Sequence, residues 1–232
     1  LWFLSSAEVG LYSIAYKIPT LLTMVMSLFV SAFQISIFDE FKKEDGSNFF
    51  KTVYTSVMMA LLVAASMLIF ASKYLAVVLY KNSFYSAWMV GCILIFAFVF
   101  NSLSSLYTAT KKTSVLFYST LAAACVNIVL NIILIPGYGL YGAAFATLVS
   151  YVCVWLIRAL LAKKQMEKGF IDRNSLIIMV LIAFQIVIEL SSLEYRMFLS
   201  FVIVLLVIAA AYKKLRNSIL YDKITTIIER RK

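Results

Sequence analysis

The chain has 232 residues, 63% of them hydrophobic and only 14% charged, with a mean hydropathy of +0.96 and a formal net charge of +10. A soluble domain carries about 25% charge, so this composition leaves too little polar surface for a globule in water and points to lipid as the outer solvent. With no histidine there is no Ser–His–Asp set, no Walker sequence or glycine-rich phosphate loop is present, and Cys92, Cys125 and Cys153 lack metal-ligand spacing.

The chain begins with Leu1-Trp2-Phe3-Leu4, which reads as the end (residues 1–4) of an earlier, truncated membrane helix, since no basic region precedes it as in a signal peptide. Seven stretches then reach the roughly 20 apolar residues that a bilayer span needs. They lie at about 11–37, 52–72, 86–107, 114–135, 139–161, 175–192 and 197–212. The expected architecture is an all-α, polytopic membrane bundle. Residues 5–164 form one bundle, 165–212 add two further membrane helices, and 213–232 are a basic cytoplasmic tail.

The first span carries a polar stripe: Ser13, Tyr16, Thr20, Thr23, Ser27, Ser31 and Gln34 follow at steps of three and four, the period of one helix face. Lys17 sits at its edge, and Pro19 is expected to kink the helix just below. The stripe reads either as a seam bonded through hydroxyls, with Lys17 snorkelling outward, or as the wall of a water-filled cavity. The loop 39–51 mixes both charge signs and reads as a solvated connector. Asn101, Ser104, Ser105 and Thr108 give the third span a polar end. Thr120, Asn127 and Asn131 give the fourth span a polar face, whose amides either pair across helices or bond sugar hydroxyls.

A five-residue turn, Pro136-Gly137-Tyr138-Gly139-Leu140, is expected to reverse the chain. The fifth span opens on Gly142, Ala146 and Ser150, four apart, a spacing that lets helices approach closely in lipid. Arg158 lies near the end of that span and reads as snorkelling to the interface. In the sixth span Gln185 and Glu189 share a face; Glu189 reads as solvated at the helix end or as a coupling-ion carboxylate. In the tail, Leu220, Ile224 and Ile227 fall on one face. This segment reads as an amphipathic helix on the inner leaflet or as a frayed basic tail.

Three segments resemble polysaccharide-type flippases, the Wzx-like oligosaccharide–lipid translocases of the superfamily that also holds MATE pumps and the lipid II flippase MurJ. They are Glu8-Val9-Gly10-Leu11-Tyr12-Ser13-Ile14-Ala15-Tyr16-Lys17-Ile18-Pro19, then Tyr107-Thr108-Ala109-Thr110-Lys111-Lys112-Thr113, then residues 127–151. The resemblance covers roughly Glu8 to Lys164. It implies the second bundle of a MATE-like fold, with a first bundle, the N-terminal half of the same transporter, upstream. It also implies a cell-membrane protein that flips a lipid-linked oligosaccharide of the undecaprenyl pyrophosphate type for surface polysaccharides such as O-antigen or capsule. Coupling to H+ or Na+ would replace ATP. The alternatives are a MATE-type cation exporter, a lipid II flippase and a membrane polysaccharide polymerase.

The positive charge does not indicate nucleic acid, because its placement follows the membrane. Sixteen basic residues fall in alternate loops and the tail, whereas the other loops hold only Lys73, Lys81 and Arg196. This positive-inside asymmetry puts 39–51, 108–113, 162–174 and 213–232 in the cytoplasm. The candidate substrate-binding residues are Lys17, Tyr16, Thr20, Ser27, Gln34, Asn101, Asn127 and Asn131. An intramembrane ammonium attracts a pyrophosphate strongly at low dielectric. No catalytic residue, metal or cofactor is expected.

Overall fold

The computed structural model describes residues 4–40, 46–80, 84–105, 113–166 and 173–229, with side chains over 4–28, 51–80, 84–104, 113–161 and 173–216. The described chain is a bundle of seven α-helices: α1 (Ser6–Ala15), α2 (Lys17–Glu40), α3 (Gly46–Leu79), α4 (Ala87–Ser105), α5 (Thr113–Met166), α6 (Arg173–Leu190) and α7 (Arg196–Glu229). Among the described residues, six stretches are long and apolar enough to cross a membrane. The one within α5 folds back on itself, so its two arms correspond to the fourth and fifth of the stretches read from the sequence.

α4 is the axis of the bundle. Every residue from Cys92 to Phe100 is buried, and the helix packs against α1, α2, α3, α5 and α6. A helix apolar all round has no face for solvent and settles at the centre. α7 closes the other side by packing on α3 and α6.

The first span is divided into α1 and α2 by one residue. Ser5 caps α1 by accepting from the Glu8 amide, and the Glu8 carboxylate returns the bond to the Ser5 N–H at 2.8 Å, a capping box. The interruption is the single residue Tyr16, whose backbone stays helical (φ −71°, ψ −21°) and whose carbonyl still accepts from the Thr20 N–H at 3.0 Å. Pro19 follows it, and with no N–H it cannot bond the Ala15 carbonyl one turn back.

The hairpin in α5 also differs from expectation. The helix runs through Pro136, and a single residue, Gly139 (φ 53°, ψ −129°), reverses the chain. Those angles match the first central residue of a type II′ turn, which glycine adopts without steric cost. The arms 113–138 and 140–166 then lie so close that a Cβ added to Gly142 would stand 2.5 Å from the Leu134 carbonyl oxygen. Close packing through Gly142 and the buried Ala146 and Ser150 is what the small-residue spacing predicts.

Candidate functional site

The hydroxyls of the α1–α2 stripe turn back on their own helices. Ser13 donates to the Val9 carbonyl, Thr20 to Lys17, Thr23 to Thr20 and Ser27 to Met24, all at 2.8–2.9 Å. Ser13, Lys17 and Ser27 are exposed and Thr20 half-buried, opposite the buried Ile18, Leu22 and Met26. Lys17 has no hydrogen-bond or ion-pair partner among the described residues. Leu21, Met24, Val25 and Leu28 share the exposed side, so the face is part polar and part apolar. Gln34 continues α2 beyond the stretch whose side chains are described, as does Ser31.

Tyr16 belongs to a different set. Its hydroxyl meets that of Tyr12 at 3.3 Å, and Tyr12 reaches Thr147 Oγ1 at 3.1 Å. The rings of Tyr16, Phe98 and Tyr151 pack edge-on in succession, tying α1 to α4 and the second arm of α5. From the other side, Asn131 donates to the Asn127 carbonyl oxygen at 2.9 Å, Asn127 donates to Ser150 Oγ at 3.2 Å, and Ser150 donates to the Thr147 carbonyl. Tyr16, Asn127 and Asn131 therefore converge on Thr147, a residue the sequence reading left aside. Of the two uses open to the amides, the structure displays pairing across the hairpin. Asn101, half-buried on α4, stands apart near the opposite end of the bundle.

Arg158 corrects the snorkelling expectation. Only 8% exposed, it donates to Ser119 Oγ, the Ser104 carbonyl and Thr120 Oγ1, each at 2.9 Å. The planar fork of guanidinium donors suits several acceptors at once, so it fastens the end of α4 to both arms of α5. The hydroxyl positions 104, 119 and 120 were the available signal, but nothing in their spacing pairs them with residue 158. The 107–113 segment lies mostly outside the described residues.

Gln185 and Glu189 form a third set. Gln185 is fully buried. Its amide oxygen accepts from Ser66 Oγ at 2.7 Å, and its amide nitrogen donates to the Ser66 carbonyl at 3.0 Å and to Ser200 Oγ at 3.1 Å. Glu189, expected to be solvated or ion-coupled, is 4% exposed at the end of α6. Among the described residues no group of three or more His, Cys, Asp or Glu is placed to hold a metal ion.

Neither a protein-family model nor a solved structure matches the chain. Over 88 residues, 38% of its length, it is 36% identical to the probable lipid II flippase MurJ of Thermotoga maritima. A match of the same length is 26% identical to the uncharacterized membrane protein MJ1068 of Methanocaldococcus jannaschii. The matches cover 19% and 17% of these relatives' own lengths. The chain is thus a multi-pass helical membrane protein with local similarity to a flippase.

Proposed function

We propose that this chain forms part of a membrane transporter that flips an anionic, lipid-linked glycan across the bilayer. The observation that carries this reading is the exposed face of α2. Its Thr20 and Thr23 hydroxyls donate to their own helix's carbonyls, and Lys17 stands beside them without a partner among the described residues. A seam between helices of this bundle would bury that face. A cavity wall facing a second bundle would leave it as it is, with an ammonium for a pyrophosphate group. Alternating access then follows from two bundles rocking about a site near the midplane.

The lone basic residue in this face speaks against a cation exporter, which calls for an acidic cavity. Two glycan lipids remain. The sequence resemblance favours an oligosaccharide precursor of surface polysaccharide, while the name of the Thermotoga relative favours lipid II. The proposal includes the cell membrane as location, the charge-derived orientation, and Lys17, Tyr16, Thr20, Ser27, Gln34 and Asn101 along the substrate path, with Asn127 and Asn131 supporting its wall.

The test replaces Lys17 in the full-length protein by Gln and by Arg. Each variant is scored for complementation in two bacterial strains, one depleted of its lipid II flippase and one lacking an O-antigen flippase. Lys17→Gln is expected to lose most rescue at unchanged membrane abundance, and Lys17→Arg to retain part of it, its planar fork replacing a compact ammonium imperfectly. Wild-type rescue by Lys17→Gln would overturn the assignment. The strain that is rescued identifies the glycan.

A further inference from the structure

A groove of about 840 Å³ runs along the bundle between α2 and α3. One wall is the α2 stretch from Leu21 to Met26, and the other is α3 from Thr52 to Leu68. Among the described residues its lining is apolar apart from Thr52 and Ser56. The hollow has a local cause. Ser56, Ala60 and Ala64 follow four apart on α3 and line it, where larger side chains would close the seam between the two packed helices.

The dimensions of the groove limit what fits it. Thr52 and Leu68 stand about 24 Å apart along the helix axis, at about 1.5 Å per residue. One leaflet of the hydrocarbon core is roughly 15 Å deep, half of about 30 Å, so the groove is longer than the chain layer of a single leaflet. A volume of about 840 Å³ spread over about 24 Å gives a mean cross-section of about 35 Å². An α-helix about 10 Å across needs about 80 Å². The groove is therefore too slender for a further helix and suits a single long hydrocarbon chain.

A charge stands beyond one end of its α2 wall. Lys17 precedes Leu21 by one turn, and Lys17, Leu21 and Val25 form a single i, i+4, i+8 row. All three are exposed, and Lys17 has no hydrogen-bond or ion-pair partner among the described residues. An ammonium followed along one helix row by an apolar trough matches a molecule with an anionic head and a long apolar tail. In a bilayer the tail gains little from the hydrophobic effect, because lipid is as apolar as the groove. Selection comes instead from filling the hollow and from the charge.

We propose that the α2–α3 groove is the chain subsite of the transporter, holding the isoprenoid tail of the lipid-linked glycan while Lys17 holds its pyrophosphate. This inference rests on the flippase reading above. In the orientation derived from the basic loops, the head lies toward the outside and the tail runs inward past the midplane. A chain confined to one leaflet would leave the far end of the groove unfilled, so the long tail is preferred over an ordinary phospholipid.

The experiment places a photoreactive diazirine amino acid at Val53 or at Met67, in the groove, or at Val180 on the exposed side of α6. The full-length protein is embedded in phosphatidylcholine nanodiscs with a minor share of undecaprenyl pyrophosphate, and adducts are weighed by mass spectrometry. The groove positions are expected to enrich the prenyl adduct over its share in the bilayer, and Val180 to follow the bulk lipid. Lys17→Gln should lower the prenyl adduct about tenfold, as loss of a charge-assisted bond does. Ala60→Trp should lower it about tenfold or more by filling the groove; Ala64→Phe serves if that variant does not fold. Groove adducts that follow bulk lipid, adducts to another part of the protein in place of lipid, or prenyl adducts unchanged in Lys17→Gln would each overturn the proposal. Complementation separates the two readings. Wild-type rescue by Ala60→Trp overturns the groove assignment alone, whereas failure of the wild type to rescue either strain counts against the flippase reading and leaves the adducts to decide the groove.

Discussion

The exposed stripe of α2 and the buried set around Gln185 contain the same kinds of side chain, yet they are built in opposite ways. On α1 and α2, Ser13, Thr20 and Thr23 spend their protons on carbonyls three or four residues back, which needs no other helix. Between α3, α6 and α7, Ser66, Gln185 and Ser200 spend theirs on one another across three helices. The first arrangement is complete without a neighbour and leaves the face open. The second holds only while the helices stay together. A polar face in a membrane helix therefore reveals its role through the destination of its protons, not through its composition.

This contrast can be broken most severely at the hairpin that backs the first set. A Cβ at Gly142 would meet the Leu134 backbone, which cannot rotate away. Gly142→Ala is expected to destabilise the protein by roughly 3 kcal/mol or more, at the upper end of overpacking costs, seen as a collapse of folded yield in detergent. Next comes Arg158. Arg158→Ala removes charge-assisted bonds worth about 1.5–3 kcal/mol each way of counting and frees the end of α4 from both arms of α5. A correspondingly lower midpoint in a detergent melt is the check.

A smaller effect is expected at the buried amide. Gln185→Leu leaves the Ser66 and Ser200 hydroxyls to find new acceptors. Interhelical bonds in membranes average about 0.6 kcal/mol and reach about 1.7, so a loss near 1–2 kcal/mol should appear as reduced resistance to denaturing detergent. A neutral result would show that the network is replaceable by packing, as some buried polar sets are. The smallest stability effect belongs to the open face. Lys17→Gln should change the melt by no more than about 0.5 kcal/mol, even though transport is expected to fail. Equal losses at Lys17 and Gln185 would erase the distinction drawn between the two regions.

Much of the fold was legible because lipid simplifies the problem. A run of about 20 apolar residues must span as a helix, and Gly142, Ala146 and Ser150 at intervals of four announce a close hairpin. Local chemistry was legible too: Asn127 and Asn131, one turn apart, do bond each other. The position of the breaks was less so. Pro136 looked like a helix end, yet the helix continues through it and the turn angles of Gly139 decide where the chain reverses. What tertiary structure alone decided is which polar groups meet. Arg158 and Ser104 are 54 residues apart, Gln185 and Ser66 119, and Tyr12 and Thr147 135. Helical periodicity relates residues three and four apart on one rod; which rods lie side by side, and so whether Arg158 reaches lipid or a ring of hydroxyls, depends on the packing of the whole bundle around α4.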